Sequence, residues 1–171
     1  MNRRKLLGYF QLMVAGSLLP VGLSAFASNE TKAITELKKS KADWEKLLPR
    51  DRYNVLFKEA TEAPHSSPLY NEKRAGIFIC AACYLPLFNS EYKYDSGTGW
   101  PSFFNALPNA IGKSRDFKLL YPRTEYHCAR CGGHQGHIFD DGPKPTGLRY
   151  CNNGLALEFI PNDQQLPELR T

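Results

Sequence analysis

The pattern of apolar and polar positions changes character along the chain. Leu6 to Leu23 is an apolar stretch, broken by Gly8, Gly16, Pro20 and Gly22 and preceded by Arg3, Arg4 and Lys5. Residues 28–48 are charged and helix-compatible, with Ile34, Leu37, Trp44 and Leu48 near one face, and Pro49 stops the run. Asp51 is placed to cap a second short helix carrying Tyr53, Leu56 and Phe57. Residues 61–70 are loop-like, with Pro64 and Pro68 among them. After Gly76 the pattern turns to short strand-like runs separated by Gly, Pro and Asn. These predict strands over 77–81, 92–94, 117–121, 124–128 and 155–160. Leu155, Leu157 and Phe159 alternate in the last run, as a half-buried strand requires. The reading is one mainly β domain over 61–171, with a helical segment, 28–60, packed on it.

Length and composition bound the class. A chain of 171 residues, 42% hydrophobic, holds about one domain with a real core, which excludes a disordered chain, a fibrous repeat and a multi-pass membrane protein. The basic start, the apolar stretch and Ala25-Phe26-Ala27 together match a signal peptide over 1–27, so the mature chain is expected to begin near Ser28. Asn2-Arg3-Arg4-Lys5-Leu6-Leu7 fits the twin-arginine export route as well as the general one. The expected location is periplasmic or secreted; an uncleaved leader would instead anchor the protein to the membrane. Of 22 basic residues three lie in that leader, leaving 19 against 17 acids, so the mature domain has no electrostatic footprint for nucleic acid. Met1 and Met13 are the only methionines, and cleavage would leave none. A protein working where methionine is oxidised would look this way.

The five cysteines divide into four plus one. Cys80-Ala81-Ala82-Cys83 and Cys128-Ala129-Arg130-Cys131 are two Cys-x-x-Cys knuckles with 44 residues between them. Together they complete the tetrahedral sulfur set that zinc prefers, with no open position left for catalysis. The expected cofactor is one structural Zn2+ on Cys80, Cys83, Cys128 and Cys131. Two disulfides with one free thiol are the competing reading, favoured by an oxidising compartment. Cys151 stands apart in Arg149-Tyr150-Cys151-Asn152-Asn153. On a strand Arg149 shares its face, and a nearby cation favours the reactive thiolate. Asn153 lies on that face too and can donate to a polar ligand. His134-Gln135-Gly136-His137 supplies histidine for proton transfer beside such a thiol, whereas His65 and His127 lack that context. Gly97 and Gly99 flank Thr98, and Trp100-Pro101 follows, so this tight loop presents an indole either to a ligand or to the core.

Together these segments closely resemble the B-type methionine sulfoxide reductases, which reduce the R epimer of methionine sulfoxide. The matching residues are Cys80-x-x-Cys83, Asp95-Ser96-Gly97, Gly99-Trp100-Pro101-Ser102-Phe103, Cys128-x-x-Cys131 and His134-x-Gly136-His137-Ile138-Phe139. The match continues through Asp141-Gly142-Pro143-x-Pro145-Thr146-Gly147-x-Arg149-Tyr150-Cys151-x-Asn153, and the likeness runs from about Trp44 to Phe159. The resemblance implies a β-tent fold of two antiparallel sheets with a structural zinc. It makes Cys151 the nucleophile that becomes a sulfenic acid. It places His137, His134 and Asn153 around the sulfoxide oxygen and has Arg149 stabilise the thiolate. Trp100 and Phe139 fall in the substrate site, Trp100 as the wall for the substrate methyl, and Asp141 orients neighbouring polar groups.

One departure matters: many members carry a resolving cysteine where this chain has Thr98. The implied partners are therefore methionine-R-sulfoxide, free or in oxidised proteins, and an external thiol donor, either a thioredoxin-like protein or a small thiol. A zinc ligand acting as resolver is the alternative. Two other classes remain open on the sequence: a non-catalytic zinc β-domain that binds through the Trp100 pocket, and a secreted disulfide scaffold.

Overall fold

The computed structural model describes residues 34–118 and 121–171. Residues 1–33, which include the expected signal peptide, lie outside the described residues. Among those described, no helix is long and apolar enough to cross a membrane.

The front of the chain is less helical than its composition suggests. Residues 34–40 are not helical, and the N–H of Leu37 donates to the carbonyl of Arg130 at 2.6 Å. Ser40 then caps α1 (Lys41–Leu47) by accepting from the Asp43 N–H. In α2 (Arg50–Lys58) the cap position belongs to Pro49, not Asp51. Asp51 lies in the first turn, where a carboxylate suits the positive end of the helix. The apolar face is as expected: Trp44, Tyr53, Leu56 and Phe57 are buried, and Trp44 stacks on Phe57 with centroids 5.4 Å apart.

Nine strands follow among the described residues: β1 (Gly76–Cys80), β2 (Pro86–Asn89), β3 (Lys93–Tyr94), β4 (Ser102–Phe103), β5 (Ile111–Asp116), β6 (Arg123–Cys128), β7 (His134–Phe139), β8 (Arg149–Asn152) and β9 (Leu157–Pro161). They form two antiparallel sheets, ordered β2-β1-β9 and β3-β4-β8-β7-β6-β5. The strand expected over 117–121 is displaced. Phe117 and Lys118 follow β5, Phe117 and Tyr121 are exposed, and 119–120 lie outside the described residues. The strand that pairs with β6 on its outer side is 111–116. It forms an edge of the large sheet and exposes Lys113, Ser114 and Arg115, so its composition carries no apolar run.

Aromatic residues fill the space between the sheets. Phe88 of β2 stacks on Phe103 of β4 at 4.2 Å, and Phe78 of β1 meets Phe103 edge-on at 5.0 Å. Tyr126 of β6 and Tyr150 of β8 close this layer at 5.5 Å. Because strand side chains alternate, the core uses one face of the large sheet and leaves the other to polar groups.

Candidate active site and metal centre

Strand pairing assembles the polar face. Cys151 on β8 lies directly opposite His137 on β7 and Ser102 on β4. Phe139 lies opposite Arg149, and Glu125 of β6 lies opposite His137. Asp116 and Ser114 of β5 lie opposite Arg123 and Glu125. Directly opposed residues point to the same side of a sheet, so groups from five strands share one surface. On β8 the intervening residues turn inward: Tyr150 joins the core, and Asn152 accepts the Tyr126 hydroxyl at 2.6 Å.

A spacing of three would put His134 and His137 on opposite faces of a regular strand. A bulge prevents this. His134 pairs with His127 and Gly136 with Tyr126, so Gln135 is the extra residue on β7. The two imidazoles come to lie edge to face with centroids 5.5 Å apart. Each has its own carboxylate. His137 Nε2 is 2.7 Å from Asp116 Oδ2, and His134 Nδ1 is 2.8 Å from Glu125 Oε1.

A cavity of about 140 Å³ opens on this face, walled by Trp100, Arg123, His137, Phe139, Cys151 and Asn153. Of the residues implied by resemblance, His134, Arg149 and Asp141 are not in its wall. Arg149 is held behind Cys151 by Asp141, with Nε and one terminal nitrogen each 2.8 Å from a carboxylate oxygen, and it stacks on Phe139 at 4.3 Å. Burial pushes the Cys151 thiol up; Arg149 and the Thr98 hydroxyl pull it down without reversing the shift. The sulfur therefore rests as a thiol, not as the thiolate that proximity to Arg149 alone suggests. Burial likewise lowers the His137 imidazole, partly opposed by Asp116, which leaves it neutral near pH 7. Ser96, Thr98 and Ser102 form a hydroxyl chain beneath the Trp100 loop at 2.8 and 2.7 Å.

Glu62 is a site residue the sequence did not disclose, since it sits in a stretch read only as loop. Its carbonyl accepts the Trp100 indole N–H at 3.1 Å, and its N–H donates to Asn153 Oδ1 at 3.1 Å. Its carboxylate accepts the N–H groups of Gly154 and Leu155. Asn153 Nδ2 donates to the Gln135 carbonyl, so its amide is held at both ends. Asp116, Arg123 and Glu125 were also unread, although Arg123, Glu125 and His127 recur with the period of a strand face.

The knuckles occupy the end of the fold where the sheets meet, Cys80 closing β1 and Cys128 closing β6. Their turns are built alike. Tyr84 N–H donates to Cys80 O at 2.8 Å and Gly132 N–H to Cys128 O at 2.9 Å, with φ of 65° and 70° at Tyr84 and Gly132. The four sulfurs lie within 4.8 Å of one another, and none forms a disulfide. The closest pairs, Cys80–Cys131 at 3.6 Å and Cys83–Cys128 at 3.5 Å, come near the roughly 3.8 Å edge that tetrahedral Zn–S bonds of ~2.3 Å impose. The cluster is positioned to bind a metal ion.

The SelR domain family matches residues 48–161. The chain belongs to that family, the B-type methionine sulfoxide reductases. Among curated relatives, a peptide methionine sulfoxide reductase MsrB of Agrobacterium fabrum is 47% identical over 127 residues, covering 74% of this chain and 94% of the relative. Relatives of the same name from Leptospira interrogans and Methanosarcina mazei are 45% and 44% identical, covering 72% and 74% of this chain and 95% and 91% of their own. The family match takes in the knuckles, the bulged histidine strand and the whole cavity wall.

Proposed function

We propose that the protein reduces methionine-R-sulfoxide to methionine at Cys151. Family membership makes it a peptide-methionine (R)-S-oxide reductase, and the residues supply a chemical route. The observation that carries the route is the pairing of Cys151 with His137 in a small cavity walled by Trp100 and Phe139. An indole face suits the substrate methyl group, and the polar wall suits the sulfoxide oxygen.

The Cys151 sulfur attacks the sulfoxide sulfur while the oxygen takes up the proton that the thiol gives up. The substrate S–O bond then breaks, an S–OH bond forms on Cys151, and methionine leaves. The substrate sulfur gains two electrons and Cys151 loses two. A donor thiol next displaces water from the sulfenic acid to form a mixed disulfide, and a second thiol restores Cys151. Thr98 has no thiol to offer at the resolving position, and the remaining cysteines belong to the metal cluster. Both thiols therefore come from outside, from a thioredoxin-like protein or a small thiol. Selectivity for the R epimer rests on the family.

The ion we assign to Cys80, Cys83, Cys128 and Cys131 is zinc, with a structural role: four sulfur ligands join the two sheets and leave no site for substrate. Residues 1–27 act as an export leader, so the repaired substrates are oxidised proteins outside the cytoplasm. The test of the route is mass spectrometry after one equivalent of sulfoxide and no donor. A gain of one oxygen on Cys151, discharged by dithiothreitol, supports it; an internal disulfide involving Cys151 overturns the external-donor step.

A further inference from the structure

We infer that Asp116 is a positioning residue for this reaction, holding His137 in the Nε2–H tautomer so that Nδ1 is the nitrogen that exchanges protons with Cys151 and the substrate oxygen. The inference rests on the reductase reading and assigns a role to a carboxylate outside the cavity wall. Asp116 ends β5 and its side chain is 7% exposed. It accepts from His137 Nε2 at 2.7 Å, from an Arg123 terminal nitrogen at 2.6 Å and from the Lys118 N–H at 2.8 Å. Those donors, led by the Lys118 N–H, hold its carboxyl well below the usual carboxylate range, so it is ionised throughout the working pH range. A carboxylate can only accept, so the proton between them sits on Nε2. Nδ1 has no hydrogen-bond partner among the described residues, and His137 lines the cavity.

Cys151, His137 and Asp116 thus run across β8, β7 and β5 as a thiol, an imidazole and an orienting carboxylate; the imidazole–carboxylate contact is made in the resting chain, and the thiol directly opposite His137 closes on Nδ1 when substrate binds. Nδ1 receives the thiol proton, Asp116 stabilises the imidazolium, and the same proton passes to the sulfoxide oxygen. A high thiol and a low imidazole at rest fit a proton that moves only during the reaction. Other charged or titratable groups bearing on His137 are Arg123 and Glu125 of β6, His134 of β7, and Arg149 beyond Cys151 on β8. Of these, Arg123 and His134 act against its protonation. Asp116 is the anion in direct contact with the ring.

Two measurements decide it. In nitrogen-15 NMR of the resting chain, His137 should show a protonated Nε2 and a bare Nδ1; the opposite tautomer overturns the proposal, whatever the enzyme's activity. In Asp116→Asn, kcat should fall about 100-fold with KM nearly unchanged. Loss of the carboxylate lowers the His137 pKa, so the acid limb of kcat/KM should move to lower pH. An unmoved limb contradicts the role, because a purely structural carboxylate would change amplitude and stability alone. Cys151→Ser is assayed beside it: sulfoxide reduction persisting there fails the reductase reading itself and not the Asp116 assignment.

Discussion

Cys151 owes its environment to opposed neighbours. Burial keeps it protonated, while Arg149 and Thr98 lower the cost of losing the proton once a substrate can take it. Thr98 is the most informative substitution site besides Cys151. Its hydroxyl acts on the Cys151 sulfur, so Thr98→Cys places a second thiol where it can attack a sulfenic acid. The expected result is an internal disulfide between the two positions after one turnover, detected by mass spectrometry, and reduction of that variant by thioredoxin. Trp100→Ala should raise KM at least about 10-fold through loss of the apolar wall, measured by steady-state kinetics. Cys151, His137 and Asn153, which share the cavity wall, could be singled out in the sequence because they stand in motifs, as could His134 beside them. Asp116, Arg123, Glu125 and Glu62 could not. Their partners come from other strands and loops, and only the sheet register brings them together.

Among the elements, the proposed chemistry depends on how β7 lies against β8. Gly136 is the residue that permits the close approach: a Cβ there would stand 1.9 Å from the Cys151 carbonyl oxygen. Gly136→Ala should therefore force the strands apart, misplace His137 against Cys151 and abolish activity, with a stability loss of about 2 kcal/mol or more in denaturant titration. Glu125 links β5, β6 and β7 by accepting from Ser114, His134 and His127. Burial opposes its ionisation, yet those hydrogen bonds hold its carboxyl near 2, below the ordinary 4.5. A depressed carboxylate stabilises the fold above its unfolded pKa, and that contribution is lost as pH falls through the folded value. Melting temperature should therefore decline between about pH 4.5 and 2, and Glu125→Gln should flatten this part of the profile. The helical reading failed over 34–40, where Leu37 is recruited to the Cys128–Cys131 turn, and the edge strand β5 escaped because its solvent face is charged.

In the whole molecule the two sheets are joined by an aromatic core along their length and by the cysteine cluster at one end. The β class and the gathering of four cysteines were readable from alternation and knuckle spacing. The six-strand order was not, since it depends on non-local pairing. Elemental analysis of chelator-free protein should find one zinc per chain, and Cys83→Ser should lose the metal together with most of the cooperative unfolding transition. The proposed export leader predicts that intact-mass analysis of protein expressed in a bacterial host finds an N-terminus near Ser28 and a chain without methionine; a mass that retains residues 1–27 contradicts it.

The proposed chemistry places reduction of the R sulfoxide at Cys151, in the cavity below Trp100. It is tested most directly by turnover of each epimer of a peptide methionine sulfoxide with excess dithiothreitol, comparing the chain with Cys151→Ser. R-specific reduction that disappears in the variant is the expected result. Folded, zinc-loaded protein that turns over neither epimer, or a variant as active as the parent, would contradict it.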